Sequence, residues 1–168
     1  MLLAFITSGT SGLLFEVVWT RELLKVFGAT SLAVSSVLAA YMAGLGLGSF
    51  FGGRFAERLE RPLRAYGLLE GAVALYGLLI PFLIEGLTPV YKAVFQGFAP
   101  QFILFSLLRF AMVFAVLLVP TTLMGATLPI LSRFAATQAQ LADAVVARLY
   151  TANTTGAVFG TILAGFVL

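Results

Sequence analysis

Apolar residues run along this chain in long blocks, and polar residues gather in the short gaps between them. The first block starts at the amino terminus, holds only Glu16 before Trp19, and merges into Thr20-Arg21-Glu22-Leu23-Leu24-Lys25. No charge interrupts Val26 to Gly53, where Gly28 is suited to a connecting turn. Further blocks run from about Ala65 to Ile84 with Glu70 inside, from Gln101 to Ser132 with Arg109 inside, and from Leu149 to Leu168 without charge. A helical crossing takes about 20 apolar residues. The blocks therefore predict five spans, about 2–27, 30–51, 65–84, 101–132 and 149–168, in a single transmembrane domain over 1–168. The predicted class is all-α, a polytopic transmembrane helix bundle. A cleaved leader is the competing reading of the first block, but no basic start and no small-residue cleavage site precede Glu16.

The gaps are informative too. Pro81, Gly86, Pro89, Gly97 and Pro100, with Tyr91, Lys92 and Gln96 among them, read as turn chemistry with an interfacial tyrosine and predict an external loop between spans three and four. Span four, taken as one helix, would be roughly 48 Å long. Pro120 and Pro129 each delete a backbone donor and predict a kink or break in its second half. Residues 133–148 read as a polar connection with helical character, and the end at Leu168 without a polar flank suggests a truncated chain.

Composition fixes the environment. Of 168 residues 61% are hydrophobic and only 10% charged, against about 25% in soluble domains. Such a chain cannot clothe a water-facing surface and is expected in a bilayer. With no Cys and no His, thiolate nucleophiles, disulfides, haem, iron–sulfur clusters and the usual zinc sites are excluded. No catalytic constellation, cofactor or metal is expected, and proton handling falls to carboxylates. Arg54, Arg58, Arg61 and Arg64 cluster, but Glu57 and Glu60 interleave and both flanks are apolar, which reads as a juxtamembrane loop and not as a nucleic-acid surface. With Arg133 and Arg148 these make six basic residues on one side, against Arg21, Lys25 and Lys92 on the other. The positive-inside rule then places loops 2–3 and 4–5 and the amino terminus in the cytoplasm.

Gly44, Gly48 and Gly52 form one helical stripe, and Gly156 and Gly160 repeat the spacing. Such stripes let two backbones approach closely in lipid. A dinucleotide or adenosylmethionine loop would need a strand before and a helix after the glycines. Charged groups inside spans are costly unless paired or hydrated. By helical rise, Glu16 lies roughly 21 Å above the start of span one and Arg109 roughly 12 Å below the outer end of span four, so the two are expected to pair. Such a pair would either fix helix register or belong to a solute site. Arg21 is expected to snorkel outward, and Glu70 to meet a loop arginine. Asn153, with Thr151, Thr154 and Thr155, is a polar patch able to bond across helices or to meet a solute.

The run Gly53-Arg-Phe-Ala-Glu57-Arg58-Leu-Glu60-Arg61 resembles the loop signature between helices two and three of the major facilitator superfamily, Gly-x-x-x-Asp-Arg-x-Gly-Arg, with Glu57 in the Asp place and Glu60 replacing the second Gly. The whole chain resembles more closely the membrane domain of bacterial spermidine-synthase-like proteins. The carrying residues are Glu16-Val-Val-Trp19-Thr-Arg21, Leu38-Ala-Ala-Tyr-Met-Ala-Gly44-Leu-Gly-Leu-Gly48-Ser, Leu123-Met-Gly-Ala-Thr-Leu-Pro129 and Leu149-Tyr-Thr-Ala-Asn153-Thr-Thr-Gly-Ala157. The resemblance implies an incomplete half of a major facilitator fold, five of six helices, in a bacterial inner membrane. It implies partners in the bilayer and in further helices: a sixth helix, a second half or other complex subunits. It supplies no reaction, since the adenosylmethionine loop and acidic catalytic residues of the often-fused soluble domain have no counterpart here. Two roles follow: handling or transport of a small solute within a larger protein, or a structural anchoring subunit whose glycine stripes dock other helices.

Overall fold

The computed structural model describes residues 2–98, 101–138 and 142–167. These form five helices and no strand: α1 (Leu2–Phe27), α2 (Ser31–Ala56), α3 (Pro62–Phe98), α4 (Phe102–Gln138) and α5 (Ala142–Phe166). The chain is an all-α bundle, and α1 to α4 are long and apolar enough to cross a bilayer, as in a multi-pass integral membrane protein. α5 is of comparable length but less apolar, because it carries Thr151, Asn153, Thr154, Thr155 and Thr161.

Local chemistry sets the corners. α1 ends at Gly28, whose φ of +83° suits a residue without Cβ and lets its N–H reach the Leu24 carbonyl at 2.9 Å. Thr30 caps α2 by accepting from the Ala33 N–H at 3.2 Å. α3 opens on Pro62, a position where the missing donor is harmless.

Packing is dominated by two parallel helix pairs, α1 with α5 and α2 with α4, and α3 leans chiefly on α4. Glycine makes both pairs close. A Cβ on Gly48 would overlap the Thr122 carbonyl, and one on Gly44 or Gly52 would strike Thr121 or Ala126. Across the other pair, a Cβ on Gly156 would enter the Ile6 carbonyl and one on Gly160 that of Thr10. Thr10 also donates to the Gly156 carbonyl at 3.0 Å. Apolar cores close each end: Trp19, Leu23, Phe27, Ile80 and Leu117 at one, Phe5, Tyr66, Leu131 and Leu149 at the other.

Two expectations need correction. The loop foreseen after Ile84 is helix, since α3 continues through Pro81 and Pro89 to Phe98; Pro100 lies outside the described residues. α4 likewise continues as one helix through Pro120 and Pro129, so the break foreseen there does not occur. In α4 the physical reason is local replacement of what proline removes. Pro120 frees the Val116 carbonyl, and Tyr76 Oη donates to it at 2.8 Å; Pro129 frees the Gly125 carbonyl, and Ser49 Oγ donates to it at 3.1 Å. The other limits also shift: α2 extends to Ala56, and helix resumes at Ala142, before the expected span at 149, while residues 139–141 of the 133–148 connection lie outside the description.

Candidate functional site

The two glycine-sealed pairs meet each other less intimately than their own members do, and a cavity of about 210 Å³ remains between α1, α2, α4 and α5. Gly9 and Gly12 of α1, Gly125 of α4 and the leucines 13, 45 and 128 form much of its wall. Into this apolar frame project Ser8, Tyr41, Ser49, Thr127 and Asn153. Its other polar feature is orientation. Ser8 Oγ donates to Glu70 Oε1 of α3 at 2.6 Å, Tyr41 Oη to the Gly12 carbonyl at 2.9 Å, and Thr127 Oγ1 to the Met124 carbonyl at 2.7 Å. Ser49 gives its proton to the Gly125 carbonyl, as described above. Each hydroxyl has a single proton, and these bonds use it, so what each oxygen retains is acceptor capacity.

A second recess of about 270 Å³ continues along the same helix faces, lined by Glu16, Val17, Thr20, Arg21, Val34 and Leu38. Positions 9, 13, 16 and 20 of α1 and 34, 38, 41, 45 and 49 of α2 follow helical spacing, so the recess lies on the same faces of α1 and α2 as the cavity. Glu16 stands in the recess half-buried, with no hydrogen bond or ion pair among the described residues. Arg21 is exposed at the far margin.

The Glu16–Arg109 pair does not form. Arg109 is 6% exposed and donates through Nη1 to the Phe27 carbonyl at 3.2 Å, with Nη2 3.5 Å from Thr30 Oγ1 and the guanidinium carbon 5.7 Å from the centre of the Phe105 ring. The reason is register: α4 begins beyond the end of α1, as the Phe27–Tyr91 and Tyr91–Phe105 ring contacts show, so Arg109 stands level with the α1–α2 corner. There it meets the carbonyl end of α1, where the helix dipole favours a cation. Its Nε and the Ser106 Oγ one turn earlier are buried without a partner among the described residues.

Glu70 also departs from expectation. It accepts from Ser8, and among the described residues no loop arginine lies within ion-pair distance of it; the one ion pair there is Glu22–Lys25. Of the five residues expected in the loop, only Glu57, Arg58 and Arg61 lie in it, because Arg54 is in the last turn of α2 and Arg64 in the first turn of α3; all five are exposed, and Arg133 Nη2 lies 3.5 Å from the Glu57 carbonyl, which gathers both basic segments at one end of the bundle. Of the polar patch on α5 only Asn153 reaches the cavity; Thr151 and Thr155 return their protons to the Ala147 and Thr151 carbonyls of their own helix at 2.9 and 2.8 Å. Sequence reasoning missed Ser8, Tyr41, Ser49 and Thr127, whose hydroxyls look like ordinary helix-packing groups. The available signal was the recurrence of Ser8, Gly9 and Gly12 beside Glu16 on one face.

Comparison with known protein families, with curated proteins and with solved structures finds no match to this chain.

Proposed function

We propose that this protein is the facilitator-like membrane part of a larger spermidine-synthase-like protein or complex, seated in a bacterial inner membrane with its amino terminus in the cytoplasm, and that it handles a small solute. The observation that carries the solute role is the polar cavity between the α1·α5 and α2·α4 pairs. Hydroxyl and amide groups inside a bundle, in a space large enough for several waters, are what a passage or binding site requires, whereas a purely adhesive bundle gains most by filling such space with methyl groups. The anchoring alternative rests on glycine stripes open to outside helices. Those stripes are occupied internally, by α4 and by α1, which favours the solute reading. Alternating access would need a second half to rock against. We assign no catalysis and no cofactor to this chain.

The test uses the absence of native cysteine. A Cβ at Gly12 would have its nearest neighbour, Tyr41 Oη, at 3.9 Å, so Gly12→Cys fits the cavity wall without strain. In lipid nanodiscs the thiol of Gly12→Cys should react with a small hydrophilic methanethiosulfonate, while Leu75→Cys on the exposed flank of α3 should not. An unreactive thiol at position 12 means a dry contact and ends the solute reading.

A further inference from the structure

Where α1 and α5 both begin, a groove of about 360 Å³ lies between them, lined by Leu2, Ile6, Ala147, Arg148, Thr151 and Ala152. The short side chains of Ala147 and Ala152 leave it open. Leu149, between the lining positions, is buried in the core with Phe5, Ala56, Tyr66 and Leu131, so the groove belongs to the end of the bundle that carries the Arg54 to Arg64 segment and Arg133. Gly156 stands against the Ile6 carbonyl and Gly160 against that of Thr10, so the two helices run parallel with a constant offset that brings Ala152 level with Leu2. Arg148 then lies one turn, about 6 Å, nearer the end of the bundle than the apolar wall made by Leu2 and Ile6. It is exposed and has no ion pair among the described residues. Thr151 gives its proton to the Ala147 carbonyl at 2.9 Å, so the hydrogen-bond donors that side chains offer to the groove are those of Arg148.

We propose that this groove seats one anionic phospholipid, its phosphate on Arg148 and an acyl chain along Leu2, Ile6 and Ala152. An arginine holds a phosphate through two parallel N–H···O bonds, and apolar surface one turn deeper suits the methylenes of the chain. Selection for negative charge comes from what the lining lacks. With no Asp or Glu in it, the ammonium of a zwitterionic head finds no partner, and the basic residues gathered at this end favour an anion. The recess beside Glu16 differs on this point, since there an acid shares the wall with Arg21. The groove shares no lining residue with the cavity between the helix pairs, so the lipid site holds whether or not that cavity takes a solute.

Native mass spectrometry of the detergent-purified chain, titrated with dioleoylphosphatidylglycerol or dioleoylphosphatidylcholine, tests this. The first phosphatidylglycerol should bind more tightly than the first phosphatidylcholine. Arg148→Gln should weaken phosphatidylglycerol about fivefold, the factor expected for one basic residue at a membrane surface. Arg61→Gln removes the same charge from the exposed loop at the same end and should change the affinity less than about twofold, because the groove lies beyond its screened reach. Ala147→Phe keeps the arginine and fills the groove from an exposed position, and should weaken the lipid as much as Arg148→Gln does. Excess inorganic phosphate should not displace the lipid, since it has no chain to lay in the groove. Equal affinity for the two lipids overturns the proposal, as does an equal loss on Arg61→Gln, which would mean a diffuse basic surface, or displacement by inorganic phosphate, which would mean a plain anion site. If Arg148→Gln gives no monodisperse species, Ala147→Phe decides alone: undiminished binding to a filled groove places the lipid elsewhere and overturns the proposal.

Discussion

At Arg109 a guanidinium is held inside the bundle by a main-chain carbonyl and an aromatic face, with no carboxylate in reach among the described residues. A charge in that setting is tolerable because the Phe27 carbonyl terminates α1 and has lost its own intrahelical donor. Glu16 lies about 16 Å further down α1 by helical rise and shares no partner with Arg109. Glu16→Gln and Arg109→Gln should therefore act independently. Unfolding in mixed detergent–SDS micelles should show a loss of about 1–3 kcal/mol for Arg109→Gln and additivity with Glu16→Gln to within about 0.5 kcal/mol. Coupling well above about 1 kcal/mol would restore Glu16 as its partner. The sequence makes the buried arginine visible, because one charge in a long apolar run stands out. Its partner was illegible, because a carbonyl at a helix end has no residue identity and depth counted from Gln101 ignored how far α4 projects beyond α1.

The helices themselves show why prolines misled. In water a Pro-Gly-rich stretch such as 81–97 usually breaks a helix, since solvent can satisfy the freed backbone. Lipid cannot, so continuation with local repair wins. For α4 the repair is visible in the Tyr76 and Ser49 hydroxyls, each aimed at the carbonyl that a proline released. Tyr76→Phe should then destabilise by about 1–3 kcal/mol, but in a Pro120→Ala background, where α4 supplies its own N–H to Val116, the loss should fall below about 0.5 kcal/mol. A loss of the same size in both backgrounds, measured by the same unfolding assay, would show that the tyrosine ring and not its hydroxyl matters. Spans one and two were readable because no such repair intervenes: their ends carry explicit signals, Gly28 and the Thr30 cap.

Across the whole molecule the basic residues segregate as the loop pattern leads one to expect. Arg54 to Arg64 and Arg133 share one end, and Arg21, Lys25 and Lys92 stand toward the other, near the corner that Arg109 grips. Cysteines at the exposed positions Glu60 and Gln96 read the direction. In intact cells Glu60→Cys should resist a membrane-impermeant thiol reagent and Gln96→Cys should react; the opposite result inverts the topology. What could not be read at this scale was the cavity, because it depends on two helix pairs each sealing more tightly within than between, a property of backbone approach and not of any one residue.

The grip of Arg109 on the α1–α2 corner also bears on how the chain is built in time. Synthesis runs from the amino terminus, so the Phe27 carbonyl enters the membrane 82 residues ahead of the arginine that needs it. A lone arginine in a span opposes insertion by up to about 3 kcal/mol, and here the nascent helix meets an acceptor already waiting. A lesion at Gly28 or Thr30 would consequently surface in the translocon first, as a fourth helix that hesitates to leave it, and only afterwards as a loosened corner.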